Sequence, residues 1–135
     1  MSIFNRVRVT TNNGLLEIGR QGQGMLGNLS VAEVATDAAL TMTVAQMSGG
    51  AILYTGFTVG RVVTTPTAAL ILAAAPDMDI GDSFMFWVSI STALAATWAA
   101  GTGVTLRGRA TVPASGSALV VVARTGLATF SWSSL

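Results

Sequence analysis

From Ser83 to Ser91 polar and apolar positions alternate. Phe84, Phe86, Val88 and Ile90 fall on one side, and Met85, Trp87, Ser89 and Ser91 on the other. A period of two predicts a long strand with one buried face. Shorter runs of the same kind follow at regular spacing: 95–99 around Trp98, 104–107, 109–112, 118–124 and 128–132. Gly101-Thr102-Gly103, Pro113-Ala114-Ser115-Gly116 and Thr125-Gly126 separate them as turns. Leu119-Val120-Val121-Val122 is apolar on both faces, which places it centrally in a sheet or at an interface. Upstream, 51–55, 57–59 and 61–64 read as strand material, with Gly56 and Gly60 as bends. Residues 40–44 alternate like a strand, while 38–47 can equally form one or two helical turns stopped by Gly49-Gly50. Short strands between Gly-rich turns predict an all-β fold, a single β-sandwich or barrel-like domain.

One helix interrupts this pattern, at about 66–75. Thr64 or Thr65 can cap it, Pro66 suits its first position, and Pro76 stops it. It is apolar nearly all round, which predicts cover on most sides.

The front of the chain differs. Arg6-Val7-Arg8-Val9-Thr10 is a short alternating strand. Asn12-Asn13-Gly14 is a hairpin turn, because Asn and Gly tolerate positive φ, and Leu15-Leu16-Glu17-Ile18 is the return strand. Gly19-Arg20-Gln21-Gly22-Gln23-Gly24 reads as a flexible joint. The division expected is an N-terminal arm or hairpin over 1–37 and a β-rich body over 38–135.

Charge sharpens the contrast. Of 135 residues only 10% are charged, seven Arg against six Asp and Glu, with no Lys, His or Cys. Three Arg and both Glu lie in the first 37 residues, so the body is nearly neutral. Without Cys or His there is no thiol nucleophile, disulfide or imidazole base, and no zinc or haem site of the usual kinds. Without Lys there is no Schiff base or P-loop ammonium. Ser and Thr are plentiful but lack a base to activate them. These absences predict a protein that is not an enzyme and takes no cofactor. A net charge of +1 gives no long-range attraction to nucleic acid or anionic lipid. A surface so short of charge favours association with further copies.

Several groups invite a sharper chemistry. Asp77, Asp79 and Asp82 beside Gly81 resemble an acidic calcium loop, but no distal Glu completes it, so turn and cap roles come first. Glu17 and Glu33 as a paired-carboxylate site lack a pocket to tune them. The glycines from Gly19 to Gly24 lack the Lys-Ser/Thr ending of a phosphate loop. Trp87, Trp98 and Trp132 can stack on sugars, or belong to a core or subunit interface. Arg107 and Arg109 can meet an acidic patch on a partner. The charge-free run from Ser83 to Leu106 has the length of a membrane span. Its interspersed Ser and Thr, its Gly-Thr-Gly break and the missing basic flank argue against one. Met1 to Asn13 has no apolar core of the kind a secretory signal peptide needs.

From Thr55 onward the chain resembles the capsid decoration, or cement, proteins of tailed bacteriophages. The residues that carry the resemblance are Thr55-Gly56, Gly60-Arg61, Thr64 to Ala69, and Pro76. Gly81-Asp82-Ser83-Phe84-Met85-Phe86-Trp87-Val88 and Ala100 to Gly108 continue it. The family's Asn-rich turn after the Phe strand is replaced here by Ile90-Ser91-Thr92-Ala93. The resemblance implies a β-rich, non-enzymatic homotrimer on the outer capsid surface of a virion, made in the bacterial cytoplasm, whose partners are the major capsid protein and itself. Arg6, Arg8, Glu17 and Arg20 of the arm become candidate capsid contacts. Trp87, Trp98, Leu119, Val121 and Trp132 become candidate subunit-interface residues. The competing class is a phage spike or fibre, or a carbohydrate- or receptor-binding module that uses the tryptophans.

Overall fold

The computed structural model describes residues 30–135 in full and, before them, the backbone of two strands, β1 (Val7–Asn12) and β2 (Leu15–Arg20). These two pair antiparallel, Val7 opposite Arg20 and Asn12 opposite Leu15. Gly19 and Arg20, expected in a flexible joint, are therefore strand residues. The expected turn at Asn13-Gly14 and the stretch from Gln21 to Gly24 lie outside the described residues, as does Arg6.

The remaining strands are β3 (Ser30–Val34), β4 (Leu40–Thr41), β5 (Gly50–Tyr54), β6 (Arg61–Thr64), β7 (Ser83–Ile90), β8 (Ala96–Ala99), β9 (Val104–Gly108), β10 (Thr111–Val112), β11 (Ser117–Gly126) and β12 (Thr129–Ser134). They form a six-stranded sheet, β3-β5-β7-β11-β12-β9, and a four-stranded sheet, β10-β8-β6-β4. From β3 to β11 the chain changes sheet at every strand. Consecutive strands therefore never pair over this stretch. Neighbours within a sheet run parallel at β3/β5, β5/β7 and β4/β6/β8, because each is reached by a crossover through the other sheet. Only β11 and β12 are joined as a hairpin within the body. The expected boundary at residue 37 falls after β3, which is already an edge strand of the six-stranded sheet.

Both sheets feed one core. The alternation in β7 is realised as read: Phe84, Phe86, Val88 and Ile90 are buried. β11 contributes Ala118, Val120 and Val122, and β12 contributes Phe130 and Trp132. From the four-stranded sheet come Val63, Ala96, Trp98 and Val112. Trp98 and Trp132 meet across the two sheets edge to face, ring centroids 5.3 Å apart, and Phe86 meets Trp132 at 5.4 Å. Edge-to-face contact puts the positive ring edge on the negative ring face, worth about 0.5–1.5 kcal/mol beyond the area buried.

The charge-free run from Ser83 to Leu106 is divided among β7, β8 and the start of β9. Among the described residues no helix is long and apolar enough to cross a membrane. Phe57-Thr58-Val59 is not a strand. Phe57 is buried and stacks on Tyr54 at 5.2 Å. The last hairpin turns at Leu127-Ala128, two residues beyond the expected Thr125-Gly126: Gly126 still pairs with Thr129, and the register shifts between Arg124 and Gly126.

Among the described residues there are two helices. The first, α1 (Val44–Ser48), follows the two-residue strand β4, so both readings of this stretch are partly realised. Thr43 and Gln46 close a capping box on it. The second, α2 (Ala68–Ala74), begins later than expected. Its cap is Thr67, whose hydroxyl accepts from Leu70 N–H, and Pro66 precedes the cap. Thr65 is occupied elsewhere: wholly buried, its hydroxyl accepts the Gly101 N–H at 2.9 Å and donates to the Pro66 carbonyl at 3.1 Å. The helix buries Ala68 and Ile71 but leaves Leu70 56% exposed, so it is covered on one side rather than most.

Gly101 is the close-packed point of this region. A Cβ there would stand 2.6 Å from the carbonyl oxygens of both Thr65 and Pro66. Backbone atoms cannot step aside as a flexible side chain can. Gly101→Ala is expected to lower unfolding free energy by about 1–3 kcal/mol, the range of overpacking substitutions. Chemical denaturation of the two proteins measures it.

Candidate functional site: the outward face of the six-stranded sheet

The strand alternation that buries Phe86 and Val88 turns their neighbours outward. Met85 is 56% and Trp87 49% exposed. Register aligns them with other apolar residues. Val31, Ala51, Trp87 and Leu119 form one row across β3, β5, β7 and β11. Met85 and Val121 stand side by side in the next, which continues through Ser133 to Arg107 on β9. Leu53 adds to the face beside Ser89. Leu119 and Val121 are half-buried by their neighbours, whereas Val31 is 60% exposed. The other sheet differs: across β6, β8 and β10 it turns Val62, Thr97 and Thr111 outward.

Three of the five candidate interface residues therefore share this face: Trp87, Leu119 and Val121. Trp98 and Trp132 do not. They are 5% and 0% exposed within a single chain and belong to the core. Alternation alone could not separate core from interface, because an inward and an outward tryptophan look alike in a strand. The burial also removes any stacking platform built from all three tryptophans. Sequence reasoning did not pick out Val31, Ala51, Leu53 or Met85 as interface residues. For Val31, Ala51 and Leu53 the missing signal is the pairing of β3, β5 and β7, which a sequence does not display; Met85 already shares the Trp87 face in the alternation of β7.

Of the arm candidates, Arg8, Glu17 and Arg20 lie within β1 and β2, whose side chains fall outside the description, as Arg6 does entirely.

Most charges of the body are engaged in holding loops. Asp37, just beyond β3, accepts the Thr58 N–H at 3.0 Å, the Thr58 hydroxyl, and Arg61 Nε at 2.9 Å; Arg61 Nη2 approaches the same oxygen to 2.8 Å. Arg124 directs its guanidinium at three backbone carbonyls: Met78, Gly126 at 3.1 Å and Leu127 at 2.9 Å. That fork ties the loop after α2 to the β11–β12 turn, a role that needs planar, divergent donors. Asp79 and Asp82 close a turn on each other: Asp79 N–H donates to Asp82 Oδ2 at 2.8 Å, and Asp82 N–H donates to the Asp79 carbonyl at 3.0 Å. Among the described residues no group of three or more acidic, His or Cys side chains is placed to hold a metal ion. Glu33 accepts from the Thr55 hydroxyl at 3.2 Å. Arg107 and Arg109 are exposed at the β9 edge. The Tyr54 hydroxyl is buried, and burial raises its pKa well above the ordinary tyrosine value.

Several residues of the Thr64–Ala69 and Ala100–Gly108 motifs converge in space. Thr65 meets Gly101, and Ala68 N–H donates to the Thr102 carbonyl at 2.9 Å. Gly103 has φ +79°, and a Cβ on it would stand 2.7 Å from the Ala68 Cβ. These motifs build scaffold. Compared with protein-family models, curated proteins and solved structures, the chain finds no match.

The Asp37 cluster makes stability depend on pH. Hydrogen bonds from Thr58 and Arg61, with the Arg61 charge, hold its carboxyl at about 2, below the ordinary 3.8. The folded pKa is depressed, so the contribution is present above pH 4 and lost as pH falls toward 2. The urea midpoint should fall over that interval, and Asp37→Asn should lower it at pH 7 while flattening the fall.

Proposed function

We propose that this protein is a non-enzymatic structural subunit that decorates the outside of a tailed-phage capsid. Its two sheets form a sandwich. It binds as a homotrimer, bridges neighbouring major capsid subunits, and reinforces the shell against the pressure of packaged DNA. The observation that carries this reading is the outward face around Trp87: apolar, continuous across adjacent strands, and borne by a body whose Asp37, Arg61 and Arg124 are engaged in holding its own loops. Such a body suits lasting contact with protein rather than turnover of a small molecule. The resemblance over Thr55 to Gly108 supplies the capsid.

In this reading the N-terminal ribbon, with Arg8, Glu17 and Arg20 in its strands and Arg6 before them, reaches the capsid subunits. Three arms on one trimer engage together, so weak individual contacts sum to slow release. The protein needs no cofactor and touches neither nucleic acid nor membrane. Its place is the virion surface, after synthesis in the host bacterial cytoplasm. The competing carbohydrate- or receptor-binding reading now has Trp87 as its sole exposed tryptophan.

Purified protein added to expanded heads that lack it should cosediment with them, and decorated heads should survive heat or low salt better than bare ones. Combined Arg8→Ala and Arg20→Ala should weaken binding at least tenfold and reduce its salt dependence. Absence of binding together with equal survival of bare and treated heads would overturn the proposal. Glycan binding abolished by Trp87→Ala in a folded protein would favour the competing class.

A further inference from the structure

We infer that the outward face of the six-stranded sheet is the surface through which copies of this chain join, with Trp87 and Met85 at its centre. The inference rests on the reading that copies associate, and adds which surface does it. Three observations converge on a second copy as the occupant.

The first is area. Six strands about 4.8 Å apart span about 24 Å, and eight residues at about 3.3 Å each give β7 a length of about 26 Å. The product is about 600 Å² of sheet per copy. Two such faces together reach the ~1,200 Å² at which stable protein interfaces begin.

The second is the distribution of charge. The middle of the face, on β5, β7 and β11, carries Ala51, Leu53, Met85, Trp87, Leu119 and Val121, with the uncharged Ser83, Ser89 and Ser117 beside them. Charge is confined to its borders, and the borders are opposite in sign. Glu33 stands on β3 at one edge of the sheet, and Arg107 on β9 at the other. A closed arrangement that carries the β3 edge of one copy to the β9 edge of another brings opposite charges together at the rim of an apolar centre. An apolar core with a polar rim is the anatomy of a protein interface.

The third is contrast within the molecule. The four-stranded sheet turns Thr97 and Thr111 outward beside one exposed valine, Val62. The two sheets share one core, yet it is the six-stranded one that gathers two adjacent apolar rows on its outward face, Val31-Ala51-Trp87-Leu119 and Met85-Val121.

The three tryptophans provide the test. Trp98 and Trp132 are in the core, so Trp87 alone is open to an aqueous quencher in a single chain. Sedimentation equilibrium over a range of concentrations is combined with iodide quenching of tryptophan emission. Wild type should have a mass that is a multiple of 13.8 kDa, with its emission shielded from iodide. Met85→Asp should weaken association at least tenfold, returning the chain to a single copy with one quenchable tryptophan. Val62→Asp, on the other sheet, should leave mass and quenching unchanged. The near-UV circular dichroism of the Trp98–Trp132 pair reports whether each variant folds. If Met85→Asp does not, Trp87→Ser is expected to show the same loss of mass. A wild type that remains a single chain overturns both the face and the association reading. An assembled wild type with Trp87 quenchable overturns only the face, because copies then join elsewhere. A single chain in which Trp87 is shielded places the chain's own N-terminal ribbon over it and also overturns the inference.

Discussion

The contact between Trp98 and Trp132 is where the two sheets become one body. Trp98 comes from the short β8 of the four-stranded sheet and Trp132 from β12 of the six-stranded one, and Phe86 packs on the second indole. The chain crosses from sheet to sheet between consecutive strands as far as β11. Every crossing spends backbone on a connection and returns no hairpin pairing. What stabilises such a path is therefore the shared interior rather than local ladders. The four-stranded sheet shows this most clearly. Two of its strands have two residues each, too little ladder to persist unless Val63, Trp98 and Val112 are held in the core that the two sheets share.

The same path explains why the glycines and threonines of the middle region are placed as they are. Where the segment before α2 passes the β8–β9 connection, the backbones come close enough that Gly101 can carry no side chain, and the Thr65 hydroxyl satisfies a donor that would otherwise be buried alone. A buried amide without a partner costs about 1–3 kcal/mol. Thr65, Ala68, Gly101 and Gly103 are the residues that make this crossing possible. A scaffold can host many functions, and function has to be argued from the site.

Periodicity was legible in the longer strands with one wet face, though β3, read as part of the arm, was missed. β7 is the clearest case, its buried set matching the alternation residue for residue, and β6, β8, β9, β11 and β12 fall close to their expected spans. Three kinds of feature were not legible. Parallel pairing leaves no local mark, so the rows that join Val31 and Ala51 to Trp87 depend on contacts tens of residues apart. A tryptophan in an alternating strand gives no sign of whether it faces core or water, so Trp98 and Trp132 stood beside Trp87 as equals. Helix α2 started late because both expected caps are used elsewhere, Thr64 as the last residue of β6 and Thr65 in contacts with Gly101 and Pro66, and local propensity yields to such contacts. The loop at Phe57 follows the same logic: β-forming residues leave the ladder because Phe57 gains more by stacking on Tyr54 and Thr58 by bonding Asp37.

Sparse charge therefore has a consequence beyond narrowing the possible chemistry. A body with few ionic groups can use them to fix loops or to keep its surface in water, but not both. Asp37, Arg61 and Arg124 are committed to the first task, and Asp79 and Asp82 close a turn. What is left at the centre of the outward face of the six-stranded sheet, around Met85 and Trp87, is apolar; serines flank it, and Glu33 and Arg107 stand at its margins. A lone chain exposing Val31, Met85 and Trp87 together would lose hydrophobic free energy at each, about 25 cal/mol for every Å² left in water. The internal use of charge and the bareness of that face are thus two sides of one allocation, and association of the face with like surface is the arrangement in which both become favourable.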